Sequence, residues 1–148
     1  MTRYEGLDGI LLIDDDHSTN FIHKSVIHTA GIDAEVAAIT NVAEALDFLT
    51  YTGKYRNDAL SRPNIIFLDI NMPGLNGWDF LDAYRLLDDR YKAKVVIIML
   101  AVSINPDDKE KAFRGTNVDD FVIKPLGREN LLEIINQHFV PVDQDVNF

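Results

Sequence analysis

Acidic residues gather where apolar runs of this chain stop. Residues 10–16 read ILLIDDD, so Asp14, Asp15 and Asp16 follow four apolar side chains, and residues 65–69 read IIFLD, ending on Asp69. A third apolar run, FVI at 121–123, stops at Lys124-Pro125. Carboxylates brought together without a cation destabilise one another, and a nearby positive charge relieves this. A hard divalent cation such as Mg²⁺ takes one or two carboxylates together with waters and a phosphate oxygen. Lys124, a mobile point charge, pairs with Asp69 or with an anion placed on it. Taken singly, an Asp after a strand is ordinarily a helix cap or turn residue, and a Lys-Pro is a strand stop. Three strand ends converging on carboxylates and an ammonium carry the site reading.

The elements that must position these residues are legible as an alternation. GILLI (9–13), NIIFL (64–68), KVVIIML (94–100) and DFVI (120–123) are short, β-branched-rich and continuously apolar, as strands covered on both faces are. AEVAAI (34–39) alternates more and suits an edge strand. Between them lie helical patterns with recognisable ends. Ser18 or Thr19 serves as cap for a helix running to Gly31. Asn41 followed by Glu44 opens a helix with Ala45, Leu46, Phe48 and Leu49 as its apolar stripe. Gly77 opens WDFLDAYRLL, and Asn105-Pro106 fits a cap and first helical position. The last helix, roughly 128–139, puts Leu131, Leu132, Ile134, Ile135 and Phe139 on one side. Five such βα units predict an α/β fold with a doubly wound parallel sheet and helices on both faces. In such sheets ligands bind beyond the carboxyl ends of the strands, where Asp14–Asp16, Asp69 and Lys124 fall.

Composition narrows the function class. Twenty-four acidic residues against 14 Lys and Arg leave a net charge of -10, which repels nucleic acid and anionic lipid and suits a protein partner or a cation. The absence of cysteine excludes thiolate metal sites and disulfides. No secretory signal and no membrane-length apolar run is found, so the expected compartment is the cytoplasm. The chain reads as a single domain over 1–148, with a core at about 8–139, a long polar connection at 50–63 and a tail at 140–148. The four histidines show no metal-ligand arrangement with each other.

The combination LLIDDD, FLDINMPGLNGWDFL and DFVIKPL, in that order at three strand ends, resembles the receiver domains of two-component response regulators over about 8–139. The single-domain form is similar to the stand-alone chemotaxis-type and phytochrome-associated regulators. The resemblance implies a flavodoxin-like strand order 2-1-3-4-5. It implies Asp69 as phosphoacceptor from a phosphohistidine, and Asp14 and Asp15 as the acidic pair for Mg²⁺ or Mn²⁺, completed by Asp69 and the backbone carbonyl of Asn71. Asp15 is the expected direct ligand, and Asp16 a solvent-facing or capping residue. Lys124 is implied as the phosphoryl-binding cation, held by a cis bond to Pro125. The implied partners are a sensor histidine kinase or histidine phosphotransfer protein and a downstream protein target, with the chain a monomer or weak dimer.

The chain departs from that pattern at one place. Receivers carry Thr or Ser at the end of the fourth strand, and here the position is Ala101; Ser103 lies two residues on. Phe121 occupies the aromatic switch position. Asp69 is therefore expected to accept a phosphoryl group with weak or unconventional switching. Two rivals stand beside this reading. A pseudo-receiver, acting without phosphate, is favoured by Ala101 and opposed by the intact Asp14, Asp15, Asp69 and Lys124. A phosphohydrolase resembling the haloacid dehalogenase-like phosphatases needs a second Asp two residues after the nucleophile, where this chain has Asn71.

Overall fold

Side chains on a strand alternate between the two faces of the sheet, and here both faces are apolar. The computed structural model describes residues 1–56, 62–92, 95–103, 105–114 and 117–142, with Phe113 described by its backbone alone. Part of the 50–63 connection, Lys94 of the predicted fourth strand and residues 143–148 of the predicted tail lie outside the described residues. The elements run β1 (Tyr4–Glu5), β2 (Gly9–Ile13), α1 (His17–Thr29), β3 (Glu35–Ile39), α2 (Val42–Thr50), β4 (Ile65–Asp69), α3 (Gly77–Arg85), β5 (Val96–Ala101), α4 (Pro106–Phe113), β6 (Val118–Ile123), α5 (Arg128–His138) and β7 (Val140–Pro141). The central sheet is parallel in the order β3-β2-β4-β5-β6, which among its own five strands is 2-1-3-4-5.

One face of the sheet carries Leu11, Ile13, Leu68 and Met99 against Leu49, Phe80 and Tyr84 of α2 and α3. The other carries Ile10, Leu12, Phe67 and Ile98 against Ile27 of α1 and Leu131, Ile134 and Ile135 of α5. Every residue of β2 and β4 is buried, as their unbroken apolar runs predict. Strand β3 pairs only with β2 and is half-exposed, the expected edge. The pairing of β5 with β6 shifts register between Ile97 and Ile98, and the Asp119 carboxylate accepts the Ile97 N–H at 2.8 Å beside the irregularity.

Two expectations change. The cap of α1 is Asp16, as its expected capping role has it, with its side chain accepting from the Ser18 N–H, and not Ser18 or Thr19. Asp wins because it stands immediately before the first helical residue, where an acceptor reaches the orphan amides. The predicted tail begins in paired backbone: Val140–Pro141 forms an antiparallel ladder with Tyr4–Glu5, tying the two terminal segments together. Elsewhere the cap readings hold. Asn41 accepts from the Glu44 N–H, Asn105 accepts from the Asp108 N–H, and Gly31 takes φ +77° beyond α1.

Candidate functional site

The carboxyl ends of β2, β4, β5 and β6 are aligned by backbone hydrogen bonds that continue past the strands. Asp14 N–H donates to the Ile39 carbonyl at 3.1 Å, Ile70 N–H to Leu100 at 3.1 Å and Lys124 N–H to Ala101 at 2.7 Å. Asp14, Asp69 and Lys124 thereby reach one point. Lys124 Nζ lies 2.7 Å from Asp14 Oδ2 and 3.0 Å from Asp69 Oδ1, with both carboxylates buried. The other oxygen of Asp14 accepts the Asp16 N–H at 3.0 Å, so this carboxylate is engaged on both sides. Asp15 is exposed, and no donor among the described residues engages its carboxylate. The Lys124-Pro125 bond is cis.

The charges at this point do not balance. One ammonium serves two buried carboxylates and stands beside a third. Burial pushes the Asp69 carboxyl above its ordinary value, with Asp14 adding to the rise and the Lys124 hydrogen bond opposing it. Burial would lower the Lys124 ammonium, yet the hydrogen bonds it donates to Asp14 and Asp69 outweigh it and leave the group above its usual range. Asp14, Asp15 and Asp69 each offer a ligand oxygen, and these atoms all lie within 4.8 Å of one another. A compact, hard, under-neutralised oxygen cluster fits a small divalent cation in both charge and donor type. Asp14 has one oxygen on Lys124 and the other on the Asp16 amide, and Asp69 has one on Lys124, so Asp15 offers the freest carboxylate.

Glycine is required beside the nucleophile candidate. A Cβ on Gly77 would stand 2.6 Å from the Asp69 carbonyl oxygen and 3.0 Å from Ile70 Cα, so α3 starts where no other residue fits. Its N–H donates to the Ile70 carbonyl at 3.0 Å. Asn76 caps α3, accepting from the Trp78 and Asp79 amides, while Asp79 accepts the Asn76 N–H in return. This capping box holds the loop from Asp69 to α3 in one register. Lys111 of α4 sits over the Trp78 ring at 4.5 Å.

The remaining predicted positions divide. Asn71 is exposed two residues after Asp69, and its backbone amide works against the rise of the Asp69 carboxyl. Ala101 is buried at the end of β5, and Phe121 is half-buried against the apolar cluster that includes Ala101. β5 ends at Ala101, the chain bends at the exposed Val102, and Ser103 is itself exposed. Two buried polar residues on α1, Asn20 and His23, are not anticipated by the sequence reading. Asn20 Nδ2 donates to the Asp14 carbonyl at 3.0 Å, and His23 Nε2 accepts the Leu126 N–H at 3.4 Å. Their signal is the spacing 20-23-27 ending on buried Ile27, a helical stripe two of whose three members are polar.

The response regulator receiver domain family matches residues 10–136, and the chain belongs to that family. It is similar to the protein PilG of Pseudomonas aeruginosa, at 30% identity over 90% of this chain and 91% of PilG. A solved two-component response regulator from Cytophaga hutchinsonii matches with TM-score 0.77 and 34% identity, covering 88% of this chain and 96% of that one. The response regulator Rcp1 of Synechocystis sp. is 29% identical over 85% of this chain and 82% of its own length. Its solved Mn²⁺-bound form matches with TM-score 0.69 and 26% identity, covering 88% of this chain and 90% of that one. The chain spans 7% of the length of hybrid signal transduction histidine kinase L of Dictyostelium discoideum, which is 29% identical over 89% of this chain. Among the described residues no helix is long and apolar enough to cross a membrane.

Proposed function

We propose that this receiver accepts a phosphoryl group on Asp69 from a phosphohistidine and signals by protein–protein interaction. The observation that carries this reading is the Lys124 ammonium held on both Asp14 and Asp69 beside the open Asp15 carboxylate. An Asp69 oxygen attacks phosphorus, the P–O bond forms as the P–N bond breaks, and the imidazole leaves with the electron pair and takes up a proton. A carboxylate nucleophile needs no general base. Lys124 meets the charge on the phosphoryl oxygens and keeps the two buried carboxylates from repelling the incoming group. Asp15, Asp69 and the Asn71 carbonyl, with Asp14 beside them, would hold Mg²⁺ or Mn²⁺, which when bound neutralises phosphoryl charge. The Mn²⁺-bound form of Rcp1 supports that choice of metal class.

The partners on this reading are a sensor histidine kinase or histidine phosphotransfer protein and a downstream protein, reached by protein contact in the cytoplasm by a monomer or weak dimer. Ala101 leaves the phosphoryl group without a hydroxyl donor from β5. A hydrogen bond to a charged oxygen is worth about 1.5–3 kcal/mol, so switching loses roughly ten- to a hundredfold of its bias. Acetyl phosphate with Mg²⁺, followed by intact mass, tests the first half: the parent gains one phosphoryl group and Asp69→Asn gains none. Absence of a Mg²⁺-dependent adduct on Asp69 would sink it, leaving the phosphate-independent module. Ala101→Thr tests the second half, because equal partner-affinity shifts in parent and variant would refute the weak-switch reading.

A further inference from the structure

Helix α1 turns two polar residues inward and two apolar ones outward. Asn20 and His23 are 4% and 2% exposed, whereas Phe21 and Ile22 between them are 72% and 53% exposed. Buried polar groups persist where a partner satisfies them. The partners here lie on opposite sides of one ion pair. Asn20 holds the carbonyl of Asp14, and His23 holds the N–H of Leu126, two residues beyond Lys124. Asp14 and Lys124 are the groups that meet at 2.7 Å. One helix thus grips the backbone at both ends of the contact that the phosphoryl-transfer reading requires.

We propose that His23 is a positioning residue for Lys124: by accepting the Leu126 N–H it holds the 124–126 segment so that the ammonium reaches Asp14 and Asp69 together. The inference rests on Lys124 being the phosphoryl-binding cation. Leu126 is buried, so losing the acceptor strands a donor away from water, and relief requires the segment to move. A lysine stem bends, but the Lys124 side chain is only 18% exposed and must meet two oxygens at once. A backbone shift is therefore felt at Nζ. The role is distinct from packing, because it needs an acceptor atom at the reach of Nε2.

Three variants separate acceptor from bulk. His23→Leu removes the acceptor at similar volume, His23→Gln keeps one at comparable reach, and His23→Asn keeps an amide that falls short. The first readout is acetylation of Lys124 by an amine-reactive ester, followed by peptide mass spectrometry with the other lysines as references. The second is the rate of adduct formation from acetyl phosphate with Mg²⁺, measured with and without Lys124→Ala. His23→Leu and His23→Asn are expected to speed Lys124 labelling and slow adduct formation, each by roughly fivefold, the worth of one neutral hydrogen bond. His23→Gln stays close to the parent, and His23→Leu adds nothing in the Lys124→Ala background. Unchanged Lys124 labelling, an unchanged adduct rate, or full slowing without Lys124 would each overturn the proposal. Should His23→Leu not fold, the contrast between His23→Asn and His23→Gln decides. A parent that takes no phosphoryl group, while the labelling contrast holds, would overturn the phosphoacceptor reading and leave the His23 assignment standing.

Discussion

Replacing Lys124 with Met removes the single ammonium shared by two buried carboxylates and keeps most of the stem. That ammonium stands 2.7 Å from Asp14 and 3.0 Å from Asp69, residues that are only 3% and 4% exposed. At an effective dielectric of about 20 each pairing has a gross attraction on the order of 6 kcal/mol, much of it offset by desolvation of the ions. Breaking one member of such a buried set costs about 3–5 kcal/mol, because uncompensated charge stays behind. Urea unfolding of Lys124→Met at pH 7 in EDTA is expected to show a destabilisation of that size. Divalent-cation affinity should move the other way. Lys124 competes for the same oxygens, and a unit charge on the order of 5 Å from the cluster opposes a divalent cation by about 2–7 kcal/mol. Mg²⁺, titrated by calorimetry or by Trp78 fluorescence, should therefore bind the variant roughly tenfold more tightly or better. Saturating Mg²⁺ should then restore part of the stability by linkage. A general disruption of the site would lower stability and metal affinity together. Weaker Mg²⁺ binding, or a destabilisation below about 1 kcal/mol, refutes the shared-ammonium account.

Gly77→Ala puts a methyl 2.6 Å from the Asp69 carbonyl oxygen, and forced overpacking of backbone should cost about 1–3 kcal/mol in chemical denaturation while slowing adduct formation on Asp69. A variant within about 0.5 kcal/mol of the parent would show that the close approach relaxes freely. Asp119→Ala leaves the buried Ile97 N–H without the acceptor that stands 2.8 Å away, for an expected destabilisation of about 1–3 kcal/mol, read as a lower urea midpoint at unchanged slope. His23 has a folded-state pKa below its ordinary value of 6.5, chiefly from burial, with Lys124 adding to the depression and Asp14 opposing it. The unfolded chain therefore binds this proton first: the contribution of the neutral imidazole is whole above pH 6.5 and falls as pH drops toward the folded pKa, by up to about 1.4 kcal/mol per unit. The stability of the parent relative to His23→Gln should fall below pH 6.5, and a difference that is flat with pH would refute it.

What the sequence made legible was whatever rests on local chemistry. Continuous β-branched runs announced β2, β4 and β5 to within a residue or two, since strands covered on both faces tolerate them; the run at 120–123 announced β6 as well, although β6 lies at the sheet edge and is half-exposed. Asn41, Asn105 and Gly31 announced helix ends through hydrogen bonding and left-handed backbone. Asp14, Asp69 and Lys124 were drawn to one point by the topology of a parallel sheet, which puts every strand end on the same side. The two terminal segments were not legible as partners, because pairing Tyr4–Glu5 with Val140–Pro141 is a non-local choice that two-residue strands do not advertise. The helix caps competed within three residues at Asp16, Ser18 and Thr19, and position relative to the first helical residue decided among them.

The polar side of α1 escapes sequence reading for a more instructive reason. Hydrophobic periodicity assigns buried faces by counting apolar residues, and on that count Phe21 and Ile22 belong inside. The structure buries Asn20, His23 and Ile27 instead. That choice is reasonable only if the strand ends facing α1 present backbone groups that need partners, as the Asp14 carbonyl and the Leu126 N–H do. In a parallel sheet the strand ends run out of ladder partners just where the site lies, so the helix beside them must supply hydrogen bonds as well as apolar contact. The same carboxyl-end geometry that concentrates Asp14, Asp69 and Lys124 thus dictates the two polar residues on α1. An inversion of amphipathicity at the first turns of a helix that follows an acidic strand end is, by the same physics, a mark of the site itself.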